Sequence, residues 1–148
     1  MRALYTIGYE GTALDDFLIT LRQAGVTLLL DIREIPISRR KGFSKSALKQ
    51  AVEAISIEYR HEKRLGSPKA IRDQLHHNGD YDTFFKQFDL YLQTQIDLLR
   101  TLAPQLPGTV ALLCYERDPQ TCHRRAVAFA LAELTGLTPQ HLGVRKGH

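Results

Sequence analysis

Two short stretches of the sequence concentrate side chains able to do chemistry. The first is Asp31-Ile32-Arg33, followed by Pro36 and the run Ser38-Arg39-Arg40-Lys41. The second is Cys114-Tyr115-Glu116, followed by Asp118-Pro119 and then Cys122-His123-Arg124. The carboxylates Asp31 and Glu116 are candidates to move protons, and burial of either would raise its pKa into a useful range. The structural alternative is that they only orient Arg33 and Arg124. Arg33, Arg39 and Arg124 are candidates to hold an anion, because a guanidinium matches the geometry of phosphate and carboxylate.

Cys114 is a candidate nucleophile, provided a neighbouring arginine or helix end favours its thiolate. Its plainer role is that of a small buried hydrophobe. Gln120 stands where a Cys-x5-Arg phosphatase loop would need its arginine, so that chemistry is excluded. Cys122 and His123 are expected, with Arg124, in the first turn of a helix, where free N–H groups and the positive dipole end attract anions. A cationic Arg124 there disfavours the helix itself, which a bound anion would rationalise; an ion pair with Glu116 or Asp31 is the alternative. Cys114, Cys122 and His123 are also the right donors for zinc. Their spacing matches no standard zinc pattern, and adjacent side chains on a helix diverge, so neither a metal nor another cofactor is expected. Two cysteines make no disulfide framework, and they are expected as thiols rather than as a regulatory disulfide.

These residues need elements to carry them. Leu4–Ile7, Val26–Leu30, Ile57–Arg60 and Thr109–Cys114 read as apolar strands, and three turns after strands carry glycine or charged residues. Helices are expected from Thr12, from Ser44, over Asp82–Leu102 and over Thr121–Thr135. Their apolar faces would include Leu14, Phe17, Leu18 and Leu21, then Ala47, Leu48 and Val52, then the stripe Phe84, Phe85, Phe88 and Leu92, then Val127, Phe129 and Leu134. Asp118-Pro119 and Thr121 are alternative caps for the last helix. Lys63–Asp80 reads as a loop with one helical turn. Strands alternating with helices argue for an α/β fold, a small three-layer Rossmann-like domain with a mainly parallel sheet. Residues 1–148 are expected to form one domain, with 137–148 an edge strand or a loose tail. In such sheets ligands bind beyond the carboxyl ends of the strands, where both chemical stretches fall.

The composition narrows the partners. With 148 residues, 43% hydrophobic and 24% charged, the chain is expected to fold around its own core. It has no apolar run of membrane-spanning length and no signal-peptide pattern, so no membrane association and a cytoplasmic location are expected. A formal charge of +4 permits phosphate or nucleic-acid partners without requiring them. The bases Arg39, Arg40, Lys41 and Lys45, with Arg60, Lys63, Arg64, Lys69 and Arg72 further on, could form a phosphate-tracking face or merely a solvated surface. His61 could reach the crevice or stay structural. Oligomeric state is not legible.

Thr6-Ile7-Gly8, Asp31-x-Arg33-x-x-Pro36-x-Ser38-Arg39, Tyr59-x-His61 with Leu65-Gly66, and Cys114-x-Glu116-x-Asp118-Pro119-x-x-Cys122-His123-Arg124 together resemble the family described as domain of unknown function 488. The resemblance spans residues 4 to about 135. It implies a common fold and site rather than a reaction. The chain departs from the family pattern at Tyr9-Glu10, where His-Ser is common, and at Ser67, where a second glycine is common. The expected function is an enzyme or enzyme-like domain that binds a phosphate-bearing ligand, a nucleotide or nucleic acid. Two rivals are a non-catalytic nucleic-acid-binding module using the loop Ser38–Lys45 and a thiol- or metal-dependent regulator.

Overall fold

Residues 1–147 are described by a computed structural model. The chain runs through β1 (Ala3–Gly8), α1 (Leu14–Gln23), β2 (Leu28–Asp31), α2 (Lys45–Glu53), β3 (Glu58–His61), α3 (Lys69–Asn78), α4 (Tyr81–Gln93), α5 (Ile96–Leu102), β4 (Thr109–Cys114), α6 (Arg124–Thr135) and β5 (Gln140–Leu142). The five strands form one sheet in the order β3-β2-β4-β1-β5, and every neighbouring pair is parallel. β2 is buried along its whole length, and so is nearly all of β4, as their unbroken apolar runs require of strands covered on both faces.

One core lies between the sheet and the first two helices, joining Ile7, Leu29 and Leu113 to Phe17, Leu21, Leu48 and Val52. The other lies on the opposite face, where Leu30, Val110 and Leu112 meet Phe88, Leu99, Val127 and Leu131. This is the expected three-layer α/β architecture with a Rossmann-like sheet. The chain moves from β1 toward β3 with helices on one face, then back to β4 and β5 with helices on the other. Such a reversal opens a crevice at the carboxyl edge of the central strands.

Several elements differ from the sequence expectation. The first helix begins after Ala13, because the Thr12 hydroxyl instead donates to the carbonyl of Tyr9. Ser44 precedes α2, but its hydroxyl bonds the backbone of Ser38 rather than capping the helix. Lys69–Asn78 is a full helix with no buried residue; only Ile71 and Leu75 supply an apolar side, too thin a stripe to betray it. The long aromatic helix is two helices, interrupted at Thr94 and Gln95. Ala47, Phe129 and Leu134 are exposed rather than core, and Phe85 is half-buried beneath the Arg125 guanidinium. Within the expected 137–148 tail, Gln140–Leu142 form β5, paired to β1 at the sheet edge, and residue 148 lies outside the described residues. No helix of the described residues is long and apolar enough to cross a membrane.

Candidate functional site

The carboxyl ends of β1, β2 and β4 border a cleft of about 920 Å3, lined among others by Tyr9, Arg33, Arg39, Arg40, Ser67, Arg72, Cys114, Glu116 and His123. Two glycines allow the chain to close around it. A Cβ on Gly8 would run into the carbonyl of Glu116 and lie 2.7 Å from Nη1 of Arg124; one on Gly66 would strike the backbone of Glu34. Both belong to the short motifs noted above, and close backbone approach is the physical reason for glycine there.

At the end of β2, Asp31 is fully buried and committed. Its Oδ1 accepts from Nε of Arg33 at 2.8 Å and from the Arg33 backbone N–H; its Oδ2 accepts from Nη2 of Arg33 at 2.7 Å and from the Tyr59 hydroxyl at 2.5 Å. Arg33 spends its remaining nitrogen on the carbonyl of Phe43 at 2.7 Å and the Tyr9 hydroxyl at 3.3 Å. Burial works against the Arg33 charge, but the hydrogen bonds and charge of Asp31 outweigh it, and the guanidinium holds its proton more firmly than usual. Burial, followed by the bond to Asp31, pushes the Tyr59 phenol well above its ordinary range. Tyr9 stacks on Phe43 with ring centres 4.6 Å apart, completing this block. His61 does not reach the cleft; its Nε2 donates to the carbonyl of Arg33 at 2.7 Å.

At the end of β4 the arrangement is looser. Asp118 and Pro119 begin a single 3-10 turn, Pro119–Thr121, with the Asp118 carboxylate accepting from the Gln120 N–H. Cys122 then takes an extended conformation, and α6 starts only at Arg124. The expected placement of Cys122 and His123 within the first helical turn is therefore corrected. So is the inference that their side chains must diverge: Sγ of Cys114, Sγ of Cys122 and a ring nitrogen of His123 all lie within 4.8 Å of one another. The two sulfurs are joined as a disulfide across a Cα–Cα distance of 7.3 Å, so the expected free thiols are corrected too. The extended Cys122 turns its sulfur back onto the end of β4.

Arg124 is fully buried and makes no ion pair with Asp31 or Glu116 among the described contacts. Its Nε donates to the Thr6 hydroxyl at 3.0 Å, Nη1 to the carbonyl of Glu116 and Nη2 to that of Arg117 at 3.2 Å, while Nη1 lies 3.5 Å from Sγ of Cys114. Burial lowers its pKa to about 10, which still leaves it charged near neutrality. Its side chain ties the β4 turn to β1 and is not among the residues lining the cleft. The Glu116 carboxylate does face the cleft, with Oε2 3.8 Å from Sγ of Cys114, and burial raises its pKa. His123 is buried against the edge of Phe88, and its Nε2 donates to the carbonyl of Ile32 at 2.8 Å. Burial pushes its pKa down to about 4.

Arg39, Arg40 and Arg72 also line the cleft. Arg39 is exposed and has no partner among the described residues. Arg40 donates to the carbonyl of Thr12; Arg72 binds Glu34 at 2.9 Å and the carbonyl of Ser67. The Ser67 hydroxyl is buried without a hydrogen-bond partner, alone in this among the described residues. Tyr9 and Ser67 were not among the residues singled out from sequence for the site. Neither type signals a binding role by itself, and in the sequence the two positions stand out only as departures from the family pattern.

No curated protein and no solved structure matches the chain. A family model described as Domain of unknown function DUF488 matches residues 13–131, which takes in both chemical stretches and leaves out β1. The chain therefore belongs to the DUF488 family.

Proposed function

We propose that the cleft binds a phosphate-bearing ligand of about nucleotide size and is the centre of an enzyme-like activity on it. The observation that carries this reading is the set of arginines lining the cleft, Arg39, Arg40 and Arg72, with the unpaired, buried hydroxyl of Ser67, whose carbonyl accepts from Arg72. A buried hydroxyl without a partner is costly, and a ligand oxygen would satisfy it. The volume suits a small molecule, and Tyr81 and Tyr115 offer exposed rings to a base. Arg39, the one of these arginines with no partner among the described residues, takes the principal anion-holding role.

Glu116 is the proton-handling group in this reading, because its carboxylate faces the cleft. Asp31 loses the proton-transfer role considered from sequence, since both its oxygens are already occupied. In this reading Arg33 and Arg124 serve the framework, since protein acceptors take four of the five N–H groups of each. Cys114 can act as a nucleophile only after its bond to Cys122 is reduced.

The test is a thermal-shift and titration series with inorganic phosphate, mononucleotides and short single- and double-stranded oligonucleotides. Stabilisation by phosphate or a mononucleotide that survives added salt, and is weakened in Arg39→Ala, supports the compact site. Stabilisation by oligonucleotides alone, erased by salt, overturns it in favour of a nucleic-acid-binding surface along the exposed loop of Arg39, Lys41 and Lys45.

A further inference from the structure

The turn after β4 brings two sulfurs and an imidazole together in a way that the anion site does not use. Cys114 closes the strand, Cys122 lies in the extended stretch before α6, and His123 is the first residue after it. All three are buried, and their ligand atoms lie within 4.8 Å of one another. The imidazole is held in one orientation. The carbonyl of Ile32 can only accept, so Nε2 carries the proton in the 2.8 Å bond between them. The lone pair is then on Nδ1, which faces Sγ of Cys122 at 3.8 Å. A backbone carbonyl on the far nitrogen is the usual support of a metal-ligating histidine.

We infer that the reduced protein binds one thiophilic divalent cation, of the zinc class, through Cys114 Sγ, Cys122 Sγ and His123 Nδ1. Two thiolates and an imidazole are a donor set that zinc favours, and tetrahedral coordination places about 2.3 Å between metal and sulfur. The 3.8 Å between Cys122 Sγ and His123 Nδ1 is the separation that two ligands of one such ion adopt. The backbone spacing also fits. A Cα–Cα distance of 7.3 Å exceeds the roughly 4.4–6.8 Å usual for a disulfide, so the backbone lets the two side chains, once reduced, draw apart around an ion.

The surroundings complete the site. Arg124 Nη1, 3.5 Å from Cys114 Sγ, offsets the charge of two thiolates. Cys114 and His123 line the cleft, so the fourth coordination position opens toward it, on the side where the Glu116 carboxylate lies 3.8 Å from Cys114 Sγ. Three protein ligands with one open position is the pattern of a reactive rather than a closed structural site. The two states of the cysteines exclude each other, because sulfurs joined in a disulfide have no thiolate to give.

The test uses cobalt(II) as a spectroscopic probe on the full chain, reduced and then freed of reductant, in buffer without phosphate. One cobalt per chain is expected, with thiolate-to-metal absorption in the near ultraviolet and the intense visible bands of four-coordination. Cys122→Ser and His123→Gln should each weaken uptake at least about tenfold, with folding checked by circular dichroism. Oxidising the wild type with oxidised glutathione, which takes two electrons and two protons from the thiols and leaves two reduced glutathiones, should abolish uptake without any substitution. No stoichiometric uptake by the reduced protein overturns the inference. Uptake that persists in the disulfide form, or in a folded Cys122→Ser variant, overturns it equally. Because no phosphate ligand is present, failure here leaves the anion-binding reading untouched, and failure of that reading leaves this one standing.

Discussion

The ends of β2 and β4 carry motifs of similar composition, a carboxylate and an arginine each, yet their side chains are employed in opposite ways. At β2, Asp31 and Arg33 bind each other through two parallel hydrogen bonds, and Tyr59, Tyr9 and the Phe43 carbonyl take up most of what remains. At β4, Glu116 leaves its carboxylate to the cleft while Arg124 bonds the Glu116 backbone instead. A buried charge is stable only when its hydrogen-bonding capacity is filled. Where protein groups fill it, the residue builds the wall; where they do not, the residue can serve a ligand. The same division separates Arg33 and Arg124 from Arg39, which is exposed and unpartnered.

The sharpest way to break this contrast is Asp31→Asn. It strands the buried Arg33 charge, and we expect a loss of about 3–5 kcal/mol in a urea unfolding titration. A loss under 1 kcal/mol would show that the β2 block is not the framework described. Gly8→Ala comes next. Its methyl group meets the backbone of Glu116 rather than a flexible side chain, so we expect at least about 1–3 kcal/mol of destabilisation, read in the same assay. An unchanged midpoint would mean that the β1 and β4 turns are not held in close approach.

Arg39→Ala probes the opposite class. Stability should stay within about 0.5 kcal/mol of the parent, while affinity for a phosphate-bearing ligand falls about tenfold by calorimetric titration. A stability loss like that of Asp31→Asn would dissolve the distinction between wall and ligand group.

The smallest effect concerns His141, whose Nδ1 lies 2.5 Å from the Thr6 hydroxyl that also accepts from Arg124. Burial, then the charges of Arg124 and Arg125, lowers its pKa below the usual histidine value. The unfolded chain therefore takes up this proton first as the solution is acidified. Its share of stability is intact above about pH 6.5 and is lost as pH falls toward the folded pKa. In His141→Gln the melting temperature should decline slightly less between pH 7 and pH 5 than in the parent, as read from parallel melting curves. A steeper decline in the variant would reverse the sign and place a favourable partner beside the imidazolium.

Much of the frame was legible because its signals are local. The apolar runs ending in Asp31 and Cys114 announced buried parallel strands, and alternation with amphipathic helices announced the three layers. The helix Lys69–Asn78 escaped because it buries nothing and so leaves almost no periodic trace. The break at Thr94–Gln95 escaped because the apolar stripe continues across it. Phe129 was expected on the inward apolar face of the last helix, yet it is exposed, and hydrophobic type does not forbid exposure.

The site divides along the same line. Composition and spacing by themselves determined which residue types stand at the strand ends, and that parallel strands would carry them to one edge. Only the tertiary structure decided which charges are already satisfied, because the deciding partners are remote in sequence. Thr6 lies 118 residues from the Arg124 it binds, and Tyr59 lies 28 from Asp31. The meeting of Cys114, Cys122 and His123 is of the same kind. It depends on a few backbone angles between a 3-10 turn and a helix, where residue types that suit either conformation leave the choice to the surrounding packing.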